Sequence, residues 1–222
     1  MEKLKELAKN KFVLILVAVA SYFIVKEIRT RYEISNGYKK GIDEVVQKYD
    51  EVASNTKEGE SVVENTRKEF TTIAKENLDS KKDEKSKIFS AANYVWGAYI
   101  FNVRGRYDFC KSYGVDIRQF VNAYKNANAV VMNDVYKIQK ADFREHNMKY
   151  DEDMLYSEMK DAQYKMVKQD MLEVGQSWGN TDMKLTCQNF NVSADKIADI
   201  IALDKRMPDF TKIVVDGASK FN

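Results

Sequence analysis

The sequence predicts an all-α protein: an N-terminal membrane-anchor helix followed by a multi-helix bundle, closed by one disulfide. Three observations predict it. The 222 residues include 9 Gly and a single Pro while 44% are hydrophobic and 32% charged, too apolar for a disordered chain and too poor in turn residues for a sandwich or barrel. Apolar residues recur at helical spacing along most of the chain beyond residue 40. The only two cysteines, Cys110 and Cys187, each stand a few residues ahead of a helix-ending pattern.

The first element is "KNKFVLILVAVASYFIVK", an apolar run from Phe12 to Val25 behind Lys3, Lys5, Lys9 and Lys11. As a helix it measures about 21 Å against a hydrocarbon core of ~30 Å, and Lys11 and Lys26 can snorkel to extend it. Ala18-Val19-Ala20 has the form of a cleavage site, but cutting there would leave an apolar "SYFIV" at the new terminus. The expected reading is an uncleaved anchor over residues 1–26, contacting the membrane through 12–25; a cleaved signal and a buried core helix are the alternatives. Basic residues flank both sides, so the positive-inside rule does not orient it.

Residues 27–80 read as a helical stalk or hairpin. Ser35-Asn36-Gly37 marks a turn. Ile42, Val45, Val46, Tyr49 and Val52 then share one helical face, and a second helix from Ser61 to about Leu78 carries a thin stripe of Val62, Thr66, Phe70 and Ile73. The charged stretch "DSKKDEKSK", residues 79–87, is the expected internal boundary.

The bundle domain is expected over 86–222. "IFSAANYVWGAYIFNVRGRYDFCKSY" is apolar or aromatic around most of its circumference, as a central helix would be. One helix is then predicted from Asp116 to about His146, with Phe120, Tyr124, Ala127, Val131, Val135 and Ile138 inward. Another is predicted from Asp151 to Val174, ended by Gly175, with Leu155, Met159, Ala162, Met166 and Met171 inward. Short helices follow around 183–190, 194–205 and 209–218, the last opened by Pro208.

Two stretches align: "CKSYGVD" from Cys110 and "CQNFNVS" from Cys187. In each, a cysteine and an aromatic precede Gly114 or Asn191, the residue types that enter the left-handed region most cheaply, and then a valine and an N-cap type, Asp116 or Ser193. Both are expected to be tight helix-to-helix corners, Asp116 forming a capping box with Gln119. Capping rules do not select cysteine, so the shared position predicts a Cys110–Cys187 disulfide, and with it an oxidising compartment such as a periplasm. Buried free thiols are the alternative.

Chemistry is sparse. A formal charge of +2 from 36 basic and 34 acidic residues supplies no field for nucleic acid. His146 is the sole histidine, so neither a multi-histidine metal site nor a cofactor is expected, and the chain reads as non-catalytic; a hydrolase or lyase would need His146 beside a nucleophile in a cleft. Asp151–Asp153 reads as negative charge at a helix N-terminus. Arg104 and Arg106 are expected to meet carboxylates. Trp178 is a candidate partner contact. Trp96 and Tyr99, with Phe101, would line a pocket if the bundle bound a small ligand. The leading expectation is a membrane-anchored, extracytoplasmic (periplasmic-type) helical protein that binds or scaffolds another cell-envelope component; a small-ligand-binding bundle is the alternative.

Overall fold

The computed structural model describes residues 43–147 and 149–221. The anchor expected at 12–25 and the start of the expected stalk lie outside the described residues. The chain divides into two units, residues 1–45 and 46–222. Among the described residues none is in a strand, and no helix is long and apolar enough to cross a membrane.

Helix α1 covers residues 43–55. Helix α2, Val62–Ser80, starts at Ser61, whose side chain accepts the Glu64 N–H. The charged stretch after it is a tight joint: Lys81 closes α2 and Asp83 caps α3, Glu84–Ile100, by accepting the Ser86 N–H. This joint lies inside the second unit.

Helix α3 is the centre of the bundle. Ala91, Ala92, Val95 and Ile100 are fully buried, and α6 and α11 pack on it. Small residues set the approach: a Cβ on Gly217 of α11 would come within 2.6 Å of the Ile88 side chain. The helix passes through a π turn, Phe101–Gly105, into α4, Arg106–Ser112. One widened turn rotates the following side chains relative to α3, and it places Asn102 and Arg106 on the buried side.

The helix predicted from Asp116 to His146 is two, α5 (Arg118–Ala127) and α6 (Ala129–Glu145), broken at Asn128. The break shifts the inward face. Ala127 is exposed while Asn128 and Met132 are buried, so the apolar stripe drawn through Ala127 and Val131 is corrected by one position. Asn128 can sit inside because its side chain is satisfied: Nδ2 donates to the Tyr124 carbonyl at 2.8 Å, and Oδ1 accepts the Leu203 N–H at 2.8 Å.

Helix α7, Glu152–Ser177, begins at Asp151, which accepts the Met154 N–H, with Glu152 and Asp153 in its first turn. It does not end at Gly175, which stands within the helix. Its buried residues are Leu155, Tyr156, Gln163, Val167, Asp170, Met171 and Gly175, a partly polar face that apolar spacing alone does not reveal. Helices α8 (Met183–Val192), α9 (Ala194–Ile200), α10 (Leu203–Arg206) and α11 (Pro208–Gly217) complete the fold, with a final 3₁₀ turn, Ala218–Phe221.

Candidate functional site

The first corner forms as its letters require. Gly114 has φ +72°, the Gly114 N–H donates to the Lys111 carbonyl at 2.9 Å, and the Val115 N–H donates to the Cys110 carbonyl at 3.0 Å. This is a Schellman end in which Cys110 supplies the deepest carbonyl and Val115 is buried behind it. Asp116 does not make a capping box with Gln119. Helix α5 starts two residues later, and Asp116 instead accepts the Arg118 N–H at 2.9 Å. Hydrogen bonds from Arg118 hold the Asp116 carboxyl below its usual range.

The second corner is different. Asn191 lies inside α8, Val192 is 79% exposed, and Ser193 makes no side-chain cap. The left-handed end expected at Asn191 is therefore corrected: α8 runs on, because the Asn191 side chain has other work. Its Oδ1 accepts the Phe120 N–H at 3.1 Å, in the first turn of α5, a helix with no side-chain cap of its own.

The true counterpart of the first corner is at the end of α7, in "SWGN". Gly179 has φ +71°, its N–H donates to the Gln176 carbonyl at 2.9 Å, and the Asn180 N–H donates to the Gly175 carbonyl at 2.9 Å. The two ends share Ser-aromatic-Gly: Ser112-Tyr113-Gly114 and Ser177-Trp178-Gly179. Ser112 Oγ donates to the Phe109 carbonyl and Ser177 Oγ to the Val174 carbonyl, at 2.6 and 2.7 Å.

Helix α8 fastens both ends through neighbouring residues. Cys187 is disulfide-bonded to Cys110 across 5.6 Å between Cα atoms, and both are fully buried. Thr186 packs against Gly175 so closely that a Cβ there would stand 2.6 Å from Thr186 Oγ1 and 2.8 Å from the Asn180 carbonyl oxygen. Gly175 is thus required by approach, not by a turn. The disulfide closes a separation of 77 residues, a constraint of about 4 kcal/mol in the chain-entropy account.

Beneath the ends lies a charged group enclosed by aromatic rings. Arg106 donates to Asp170 Oδ2 through Nε at 3.1 Å and through a terminal nitrogen at 2.5 Å, and to Asn102 Oδ1. Its guanidinium stands 5.3 Å from the Phe101 ring and 5.1 Å from the Phe190 ring. Asn102 in turn donates to the Tyr124 hydroxyl, whose pKa burial pushes well up. Arg104 meets Asp153 at 2.7 Å. Both arginines bind carboxylates, and only the Arg106 pair is buried. The sequence marks Arg106 but not its partner Asp170, because a buried aspartate leaves no trace in an apolar pattern.

Above this core Trp178 is 41% exposed, its ring 6.5 Å from Phe190, which itself packs edge-on to Phe120 at 4.5 Å. Tyr113 and Tyr164 are partly exposed on either side of buried Phe109. Trp178 thus stands part-exposed between Gly175, packed on Thr186, and Asn180, whose amide donates to Thr186 Oγ1 at 3.0 Å.

Trp96 and Tyr99 are placed elsewhere, 5% and 6% exposed, around Glu152. Glu152 Oε2 accepts from Trp96 Nε1 and from the Tyr150 hydroxyl, each at 3.4 Å, and bonds the Tyr136 hydroxyl. Burial, then the Glu152 charge, pushes Tyr99 up to about 12. These rings are engaged with one another and with that carboxylate. A polar cleft of about 300 Å³ lies apart from them, between α1 and α2, lined by Lys48, Glu51, Asn65 and Glu69 among others.

His146 closes α6 with its side chain 63% exposed, Nδ1 2.9 Å from the Asp142 carbonyl oxygen. Among the described residues no group of three or more His, Cys, Asp or Glu is arranged to hold a metal ion. No protein-family model matches the chain, and no curated protein or solved structure matches it significantly.

Proposed function

We propose that this chain is a membrane-anchored, extracytoplasmic helical domain, periplasmic in a bacterial host, that binds or scaffolds another envelope component without catalysis. The observation that carries the reading is the Cys110–Cys187 bond between two fully buried sulfurs. Structural disulfides form and persist in oxidising compartments, and the apolar run from Phe12 to Val25 supplies export and attachment. The partner surface is the rigid corner that presents Trp178. His146 stands exposed at a helix end, its ring nitrogen 2.9 Å from the Asp142 carbonyl oxygen, as a solvated polar turn would hold it.

Alkaline washing of membranes from the native host, followed by protease added to sealed cells with a permeabilised outer layer, tests this. The chain stays with the membrane and its bundle is cut from outside. Release by the wash, or protection from external protease, contradicts the reading. A photo-crosslinking residue at position 178 gives a discrete adduct in the same membranes, whereas one at Val130, 73% exposed on α6, gives none.

A further inference from the structure

The segment from residue 46 to Ser80 buries far less of itself than the central helix α3, to which it is joined. Across α2 only Thr66 and Leu78 are buried, and within residues 46–55 only Tyr49, whereas α3 alone buries seven residues. A seam with so little apolar burial gains little from water exclusion. One of its few buried groups is a defect: among the described residues Thr66 Oγ1 has no hydrogen-bond partner, a cost at the contact.

Polar ties at separate points hold the segment. Lys165 bonds Asp50 and faces the Tyr49 ring. Lys75 pairs with Asp209 at 2.9 Å, and Thr71 lies 3.4 Å from the Tyr94 hydroxyl. The strongest grip is Glu173 of α7. Its Oε2 accepts from Ser61 Oγ and its Oε1 accepts the Val63 N–H at 3.2 Å, while Gln169 steadies the carboxylate at 3.0 Å. A carboxylate from one helix thus sits on the N-terminus of another, where the unpaired N–H groups and the helix dipole favour negative charge. At the other end the segment meets α3 through the short joint 81–83, where Lys81 is extended.

We infer that residues 46–80 form a strap that opens from the bundle as a unit, hinged at 81–83 and latched by the Glu173 carboxylate on the N-terminus of α2. The strap lifts while the disulfide-linked bundle stays folded. The inference stands on the packing alone and needs neither the membrane nor the oxidising compartment proposed above.

Hydrogen exchange on the full chain tests it. Amides of 62–78 exchange at least about tenfold faster than those of α3 and α4, as a separate low-stability unit does. Glu173→Ala accelerates the strap again, roughly fivefold on the scale of a lost cap, and leaves α3 and α4 unchanged. Ser61→Ala, which keeps Glu173 in place, acts on the same amides. Exchange of the strap and α3 at one common rate overturns the inference. So does acceleration of both by Glu173→Ala, or of neither by either variant.

Discussion

The Asn191 side-chain oxygen, carried by α8, accepts the backbone N–H of Phe120 at 3.1 Å and so caps α5 from another part of the chain. The same device recurs. Asn128 Oδ1 accepts the Leu203 N–H at the start of α10, and Glu173 accepts the Val63 N–H at the start of α2. Neither Ile117 nor Ala202, the local cap residues of α5 and α10, can supply a side-chain acceptor. Asparagines placed at a distance do it for them.

Asn191→Ala leaves the Phe120 N–H without this acceptor and lowers stability by about 1 kcal/mol. Asn191→Asp keeps the acceptor and adds charge where the α5 dipole favours it. Urea unfolding separates the two, with alanine well below aspartate; equal midpoints would show that the cap contributes nothing.

Removing one side of the Arg106–Asp170 pair is costly. Their side chains are 8% and 12% exposed, so Asp170→Leu strands a buried guanidinium and costs about 3–5 kcal/mol. The double variant Arg106→Met with Asp170→Leu leaves no orphan charge and recovers much of that loss. A strictly additive pair in denaturant titrations would mean the two charges are not coupled.

Gly175 and Gly114 separate two uses of glycine. Gly175→Ala drives a methyl group against Thr186 Oγ1 and the Asn180 carbonyl and costs about 2–3 kcal/mol by overpacking. A Cβ on Gly114 meets nothing within 4 Å, so Gly114→Ala costs about 1 kcal/mol for the left-handed backbone alone. Thermal unfolding ranks them, and adding Thr186→Ala relieves only part of the first.

Much of the fold was legible from residue 43 onward because it is local. Ser61 and Asp151 stand at the expected helix starts, and Cys110 to Val115 spell a Schellman end that forms. Two of the differences, at Asn191 and Asn128, share one physical cause: a polar residue satisfied by a distant partner looks like a local signal. Asn191 reads as a helix end because asparagine enters the left-handed region, yet its amide serves α5. Asn128 breaks a continuous apolar pattern because two backbone groups, one of them 75 residues away, satisfy it. The repeat that forms is not keyed by cysteine: Tyr113-Gly114 matches Trp178-Gly179, and Cys110 bonds to a third helix, α8.

Asp142 sets a pH dependence. Burial raises its pKa above the ordinary 3.8, with Glu145 adding to the rise and His146 and Lys85 opposing it. An acid held weaker in the fold than in the unfolded chain subtracts stability as pH climbs from 3.8 through the folded value. Asp142→Asn removes that loss, so the variant is more stable at neutral pH by under about 1 kcal/mol, screened by solvent, and the difference closes below pH 3.8. Melting curves between pH 3 and 7 check the sign; a variant that is less stable at neutral pH contradicts it.

The most direct test of the central claim is thiol labelling of the denatured, unreduced chain taken separately from the membrane and soluble fractions of its native host. The account predicts Cys110 and Cys187 blocked in the membrane fraction, released together by reductant, with the mass of an intramolecular bond. Two freely labelled thiols in that fraction would contradict both the bond and the oxidising compartment inferred from it.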